Sequence, residues 1–362
     1  MNVFSLLKKI DRALHINTIR YYLMDRKYTV KQFFAIRKLC SGTDFIMFNT
    51  PDHGNLGDQA IALSEERFFK DRFPEVVYRE VTGDYYRKNR QLFRRIVNKN
   101  IVIGICGGGY IGDVWIEEEE LVRSIITSFP GNKIIVFPQT VYYHNDQKGN
   151  KEWERTKQLM ESHDDSLYLC LRDKKSYNFI KSSSRINNLL LYPDMVLSLS
   201  YHFSENRQGI LTCFRADQEK VLKDEIINRI YLYAKDNELE IASTTTVYTR
   251  NINVLDRKKE VMDKLKEFAS AKVVITERLH ARIFATITGT PCIAFDNESK
   301  KISGVYEWIK DLDYIRFISS DNSMDDISEF LSQMLDMKNN NYNVDNNIWK
   351  SFEDKIRTVI QR

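Results

Sequence analysis

The segment Ala271–Thr288 (AKVVITERLHARIFATIT) carries the sharpest chemistry in the chain. A buried strand over Lys272–Thr276 ends at Thr276, which the spacing makes the cap of a helix. Glu277, Arg278, Leu279 and His280 then fall in that helix's first turn. Leu279, Ile283 and Ile287 recur at i, i+4 and i+8 and form the packed stripe. Arg278 and His280 lie off the stripe, beside the unpaired backbone N–H groups of a positive helix end. A guanidinium fork and a titratable imidazole placed there define an anion site that can also move a proton. A lone helical histidine is ordinarily structural, but an arginine two residues earlier at a strand's carboxyl end favours function. Arg215, directly after the apolar strand Ile210–Phe214, supplies a second guanidinium to the same anion.

Three other strand ends carry polar clusters. Thr50–Gln59 (TPDHGNLGDQ) joins the first strand to a helix, with Asp58 where an N-cap belongs. A capped tight turn accounts for Gly57 and Asp58 but leaves Asp52, His53 and Asn55 for a substrate. Cys106–Asp113 (CGGGYIGD) follows the buried strand Ile101–Ile105 and matches G-x-G-x-x-G through Gly107, Gly109 and Gly112. A nicotinamide cofactor is nevertheless disfavoured: this is not the first βαβ unit, and no acid near position 132 is placed to hold a ribose. Glu117–Glu120 would also repel a pyrophosphate at the next helix start. The segment, with Gly108, Gly109 and Tyr110, reads as a loop that lets some other ligand approach the backbone. Arg172–Ser176 (RDKKS) reads mainly as a turn former, Asp173 being a helix cap, while Pro138-Gln139-Thr140 suits a ligand contact as well as a turn.

Positioning such loops is the work of alternating elements. Apolar runs predict strands at 44–48, 76–80, 101–106, 133–137, 167–171 and 195–199. A second set follows at 210–214, 239–244, 272–276, 291–295 and 314–318. The helix-periodic stretches between them predict βαβ units, hence parallel sheets with helices on both faces. About 362 residues at roughly 150 per domain predict two domains. The expected organisation is a basic amphipathic segment over 1–40, doubly wound domains over 41–200 and 201–345 facing one cleft, and a helix over 346–362. The polar stretch Ser200–Gly209 marks the boundary between the domains.

Composition narrows the classes. With 43% hydrophobic and 29% charged residues, 14 Gly and 6 Pro, the chain is neither collagenous nor disordered. No apolar run approaches the 18 or more residues of a membrane span, and Lys8 and Lys9 close off a signal peptide. The reading is a folded, soluble, intracellular protein. Five cysteines without C-x-x-C pairing and six scattered histidines predict neither a disulfide frame nor a metal site. A net charge of +4 is too balanced for nucleic acid to be the main ligand. Residues 1–40, however, hold nine Lys/Arg against two acids, interleaved with apolar residues such as Phe4, Leu7 and Ile10. That pattern suits either a helix packed on its own domain or one lying on an anionic membrane.

Taken in order, these pieces resemble the polysaccharide pyruvyl transferase family. The matching segments are Asn55-Leu-Gly-Asp-Gln-Ala-Ile61, Gly107-Gly-Gly-Tyr-Ile-Gly-Asp113, Arg172-Asp173, Pro193-Asp194, Arg215, Glu277-Arg-Leu-His-Ala281, Gly289-Thr-Pro291 and Lys301-Ile-Ser-Gly304. Phe137-Pro-Gln-Thr140 departs from the family's more glycine-rich G-Q-G. The resemblance implies a fold like the GT-B glycosyltransferases, with two Rossmann-like halves around a cleft. It implies phosphoenolpyruvate as donor, a glycan sugar as acceptor and a cyclic pyruvate ketal as product. On that footing Arg215, Arg278 and Lys301 hold the donor, His280 protonates it, and Asp58 orients or deprotonates the sugar hydroxyl. His53, Asn55, Gly57, Gly108, Gly109 and Tyr110 face the acceptor, and no cofactor or metal is needed. Family acceptors are commonly lipid-linked oligosaccharides at the inner membrane face, which the basic start of the chain would suit. Two other readings stand beside it: a GT-B glycosyltransferase using a nucleotide sugar, and a non-catalytic scaffold of glycan assembly.

Overall fold

The structure is a computed structural model that describes residues 28–163, 165–203, 206–215, 222–295, 301–318, 324–337 and 340–361, without the side chains of 301–303 and 324–326. The first half runs α1 (28–40), β1 (Phe45–Thr50), α2 (Leu56–Arg72), β2 (Tyr78–Thr82), α3 (Gly83–Ile96), β3 (Val102–Ile105) and β4 (Gly108–Gly112). It continues with α4 (Ile116–Ser128), β5 (Ile134–Tyr142), α5 (Gln147–Glu161), β6 (Leu167–Leu171), α6 (Lys174–Ser183) and β7 (Leu189–Leu191). A 3₁₀ turn, Met195–Ser198, precedes the second half: β8 (Gln208–Cys213), α7 (Asp224–Asp236), β9 (Ile241–Ser243), α8 (Arg257–Ala269), β10 (Ala271–Thr276) and α9 (Leu279–Ile287). Then come β11 (Cys292–Phe295), α10 (Lys301–Tyr306), β12 (Ile315–Ile318), α11 (Met324–Leu335) and α12 (Asn346–Gln361).

Two parallel sheets result. One has the order β2-β1-β3-β5-β6-β7 with β4 also paired to β5; the other is β12-β11-β10-β8-β9. The strands are parallel because each crossover is long enough to hold a helix, and their centres are buried on both faces. Phe45–Phe48, Ile103, Ile134–Phe137 and Val273–Ile275 are completely buried, as parallel strands between helix layers must be. This is the expected GT-B-like α/β arrangement.

The two halves share material. One apolar cluster contains Met47, Ala60 and Ile135 from the first half and Phe268, Val274 and Ile283 from the second. α12 returns to the first half: Phe352 packs on Phe68, and Arg72 pairs with Glu353 at 3.1 Å. The tightest polar seam is at the β1–α2 loop. Leu56 donates to Thr246 O and Tyr248 to Gly54 O, both at 2.8 Å. A side chain at Gly54 would lie 2.1 Å from Tyr248 O, so this approach requires glycine. Arg257 of α8, completely enclosed, donates to Gln59 at 2.9 Å and to Glu80 at 2.7 Å across the seam.

Several local expectations are corrected. Where the apolar run predicts a strand over 195–199, Met195–Ser198 form the 3₁₀ turn, because Asp194 caps Val196 N at 3.0 Å and curls the backbone. Part of the glycine-rich segment is not a loop: Gly108–Gly112 is extended and pairs with β5. Pro138-Gln139-Thr140 likewise lies inside β5. α3 and β7 are additional elements, and β2 begins at Tyr78 rather than Val76. α2 is capped by Asn55, whose side chain accepts from Gly57 N at 3.0 Å; Asp58 sits in the first turn. α9 starts at Leu279 with Arg278 at its N-cap position, because Thr276 and Glu277 serve other partners.

Cutting the seam has a predictable cost. Arg257→Ala leaves Glu80 partly buried without its partner and should lower unfolding free energy by roughly 3–5 kcal/mol. Urea denaturation followed by circular dichroism checks this; a loss within about 0.5 kcal/mol, as for surface sites, contradicts it.

Candidate active site

A cleft of about 380 Å³ opens at the carboxyl ends of both sheets, where doubly wound folds bind ligands. The second half contributes Arg215, Thr246, Arg278, Leu279 and His280 to its walls. The first half contributes Pro51–His53, Asn55 and Asp58, the backbone of Gly107 and Gly109, Tyr110 and Trp115, and Arg172.

Each cation is held by the strand end that presents it. Thr276 Oγ1 donates to Cys213 O at 2.6 Å and accepts from Arg278 N at 2.9 Å. It thereby ties the start of α9 to the end of β8. Arg278 Nε donates to Phe214 O at 3.3 Å. The buried Glu277 carboxylate accepts from Arg215 N at 2.9 Å and from Leu222 N at 3.1 Å, anchoring the loop that bears Arg215. Glu277 is thus a brace and not a helix-turn residue, which is why α9 begins later than the spacing suggests.

His280 reaches across to the first half. Its Nε2 lies 3.5 Å from Asp194 Oδ2, an ion-pair distance longer than a well-formed hydrogen bond. Arg172 Nη1 donates to the same oxygen at 2.6 Å, and Arg172 Nε to Thr140 at 2.9 Å. Asp194 is completely buried. That burial pushes its pKa up, but His280 and Arg172 overcome it and hold the carboxyl well below the usual range. Asp194 is therefore an anion held between a side chain of each half, Arg172 and His280. On its other edge the imidazole rests against Gly57, where a Cβ would lie 2.2 Å from His280 Nδ1. Gly57 is the clearance that lets the ring enter the cleft.

Beneath the floor, Glu65 of α2 accepts from Gly107 N at 2.8 Å and is completely buried. Loss of hydration pushes its pKa up to about 8. It holds the glycine turn from below and does not line the cleft.

Away from His280 the lining changes character. Asn49, in the left-handed region at φ 60°, turns its amide toward Glu118 at 3.4 Å. Glu118 pairs with Arg87 at 2.6 Å, and Trp115 is 41% exposed beside them. The Tyr110 hydroxyl donates to Cys106 O. His53 and Asp58 face each other at 3.8 Å. An exposed indole ringed by an amide, a carboxylate and a guanidinium is the composition that takes a sugar: an apolar face to stack on and forks for hydroxyls.

Of the residues singled out from sequence, Arg215, Arg278, His280, His53, Asn55, Asp58, Gly109 and Tyr110 line this one cleft. Gly57 adjoins it through His280, and Asn55 spends its side-chain oxygen on the helix cap. Gly108 is not among the lining residues. Lys301 begins α10, but its side chain lies outside the described residues, as do residues 1–27. Sequence reading undervalues Arg172 and Asp194, which meet only because the β6 and β7 ends converge. It also passes over Trp115, Glu118, Arg87 and Asn49. A tryptophan just beyond a glycine-rich segment was the signal available for that group.

The fold and site define an α/β protein of two parallel sheets with an arginine- and histidine-lined cleft at their carboxyl ends. The sequence profile of the family described as polysaccharide pyruvyl transferase matches residues 55–299. "General stress protein 30" of Bacillus subtilis is 32% identical over 81% of this chain and 86% of its own. "Pyruvyl transferase 1" of Schizosaccharomyces pombe is 27% identical over 74% of this chain and 68% of its own. A functionally uncharacterised protein of Klebsiella pneumoniae superposes with a TM-score of 0.54 at 19% identity, covering 80% of this chain and 97% of that one. The chain belongs to the polysaccharide pyruvyl transferase family.

Two measurements follow. Glu65 binds its proton more tightly folded than unfolded, so its contribution to stability is intact below about pH 4.5 and falls as pH rises toward about 8. Glu65→Gln should flatten that part of the stability–pH curve; an unchanged slope by thermal denaturation contradicts the assignment. Gly57→Ala should leave the fold intact, as judged by circular dichroism, yet lower activity at least about tenfold by pushing His280 aside. Full activity would mean the ring is not constrained there.

Proposed function

We propose that the protein transfers pyruvate from phosphoenolpyruvate to two hydroxyls of one glycan sugar, forming a cyclic ketal during exopolysaccharide or capsular polysaccharide synthesis. The observation that carries this reading is the convergence of Arg215, Arg278 and His280 on one wall of the cleft. Phosphoenolpyruvate carries a carboxylate and a phosphate, each suited to a guanidinium fork. Family membership supports the transfer of a pyruvyl group; the ordered geometry supports this donor.

The chemistry assigns each side chain a step. His280 gives a proton to the methylene carbon of phosphoenolpyruvate, turning it into a methyl group and leaving oxocarbenium character on the central carbon. Asp194, facing Nε2, and Gly57, packed against the opposite edge, hold the ring in one pose for that transfer. A sugar hydroxyl attacks the central carbon and loses its proton to Asp58, which lines the cleft. The C–O bond to phosphate breaks, Arg215 and Arg278 take up the departing charge, and the neighbouring hydroxyl closes the ring as its proton passes to the imidazole that His280's first transfer left neutral, while the proton taken up by Asp58 leaves with the phosphate. The acceptor sugar stacks on Trp115, with Asn49 and Glu118 reading its hydroxyls and Tyr110, His53 and the Gly109 backbone completing the wall. Lys301 adds charge on the phosphate side. No cofactor is consumed. The acceptor is carried on a lipid, and the enzyme works peripherally at the inner face of the membrane.

Phosphate release and pyruvate incorporation test this on lipid-linked acceptors. His280→Ala should slow turnover about 10²–10⁴-fold, and Arg278→Ala should raise the phosphoenolpyruvate KM. Trp115→Ala should raise the acceptor KM several-fold, since an aromatic contact is worth about 0.5–1.5 kcal/mol, and leave the donor KM unchanged. Turnover within a few-fold of wild type in His280→Ala and Arg278→Ala removes both from the mechanism. Stabilisation of the protein by UDP or GDP sugars, and not by phosphoenolpyruvate, would favour a glycosyltransferase instead.

A further inference from the structure

Helix α1 presents an apolar stripe to solvent. Val30, Phe33, Phe34 and Arg37 recur at i, i+3, i+4 and i+7, the spacing of a single helix face. Phe34 is 62% exposed, Val30 56% and Phe33 36%, whereas Ile36 on the far side is completely buried. The inner side is already occupied: Gln32 accepts from the Tyr85 hydroxyl of α3 at 2.8 Å. Residues 28–40 contain no acid, and Lys31, Arg37 and Lys38 are all exposed.

The neighbouring helix supplies more positive charge. Arg90, Arg94 and Arg95 of α3 are exposed, and a groove of about 480 Å³ runs between Tyr28 and Thr29 on one side and Arg87, Lys88, Arg90 and Arg95 on the other. Two acids face it. Asp84 pairs with Arg87 at 3.3 Å and with Lys88 at 3.9 Å, and Glu118 pairs with Arg87 at 2.6 Å. Among the described residues, no ion pair engages Lys31, Arg37, Lys38, Arg90, Arg94 or Arg95.

We propose that α1 and α3 together form a docking surface for an anionic lipid bilayer. The stripe Val30–Phe33–Phe34 enters the boundary between headgroups and acyl chains, and the flanking cations meet lipid phosphates. A second copy of the chain would bring like charges together across the same face. A nucleic acid would leave the protruding apolar stripe without a partner. Arg87 lines both this groove and the cleft. The docked surface therefore adjoins the cleft wall that bears Trp115 and Glu118. That last step rests on the proposed pyruvyl transfer: it sets the acceptor side of the cleft beside a lipid-borne glycan.

Co-sedimentation of the full chain with vesicles is the test, using phosphatidylcholine alone or mixed with phosphatidylglycerol. Binding is expected on the mixed vesicles only, weakening as salt rises. Phe34→Asp and the triple variant Arg90→Glu/Arg94→Glu/Arg95→Glu should each reduce partitioning about tenfold or more. Phosphate release with a soluble acceptor analogue should be unchanged in both. Binding of both variants equal to wild type, or no binding of wild type to mixed vesicles, overturns the proposal. A Phe34-dependent dimer in light scattering, or RNA binding lost in the triple variant, overturns it too if vesicles are not bound. Vesicle binding is read without turnover, so it succeeds or fails separately from the proposed reaction.

Discussion

A carboxylate enclosed by protein costs several kcal/mol in lost hydration unless cations meet it. Asp194 is such a group, and the side chains that meet it come from opposite halves of the molecule: the Arg172 guanidinium at 2.6 Å and the His280 imidazole at 3.5 Å. The requirement is mutual. Arg172 is itself buried and needs an anion, and His280 needs a fixed partner to hold one ring orientation. A single buried charge therefore couples the relative placement of the two halves to the pose of the imidazole. The rest of the seam reinforces that coupling. Arg257 with Gln59 and Glu80, and the backbone bonds of Gly54 and Leu56 to the 246–248 segment, hold the β1–α2 loop against the second half. Gly57 can then sit directly under the ring of His280.

The cleft so formed is electrically divided. Near His280 it is rich in guanidinium groups, each fixed through its own backbone or side chain to a strand end. Further along, Asn49, Glu118, Arg87 and Trp115 make a mixed polar and aromatic wall. On the proposed reading the first region takes the small dianion and the second the neutral sugar, and bringing the two together is a matter of proximity and orientation, which can supply a large share of a barrier reduction.

Much of this was legible in the sequence because it depends on local pattern. Buried parallel strands announce themselves as apolar runs, and the Lys272–Thr276 strand followed by the Leu279, Ile283, Ile287 stripe placed Arg278 and His280 at a strand's carboxyl end. What escaped depends on other causes. α3 (GDYYRKNRQLFRRI) buries only Tyr86 and Phe93 among its large apolar side chains, too few to show a period. β4 is nearly all glycine, so it has no alternating side chains to read. Helix starts were misplaced where a stronger competitor took the expected cap: Asn55 for Asp58, and the Glu277 bonds to the Arg215 loop. The Arg172–Asp194–His280 relay joins residues far apart in the chain, and no window of sequence contains it. The Glu65 bond under Gly107 is invisible for the same reason.

The most direct measurement is a crystal structure of the protein with phosphoenolpyruvate and a sugar acceptor analogue. The phosphate and carboxylate are expected within hydrogen-bond distance of Arg215 and Arg278. The methylene carbon should face the His280 ring, and Asp194 should still hold that ring's far nitrogen. A donor found elsewhere in the cleft, or no donor bound even with the acceptor present, would contradict it.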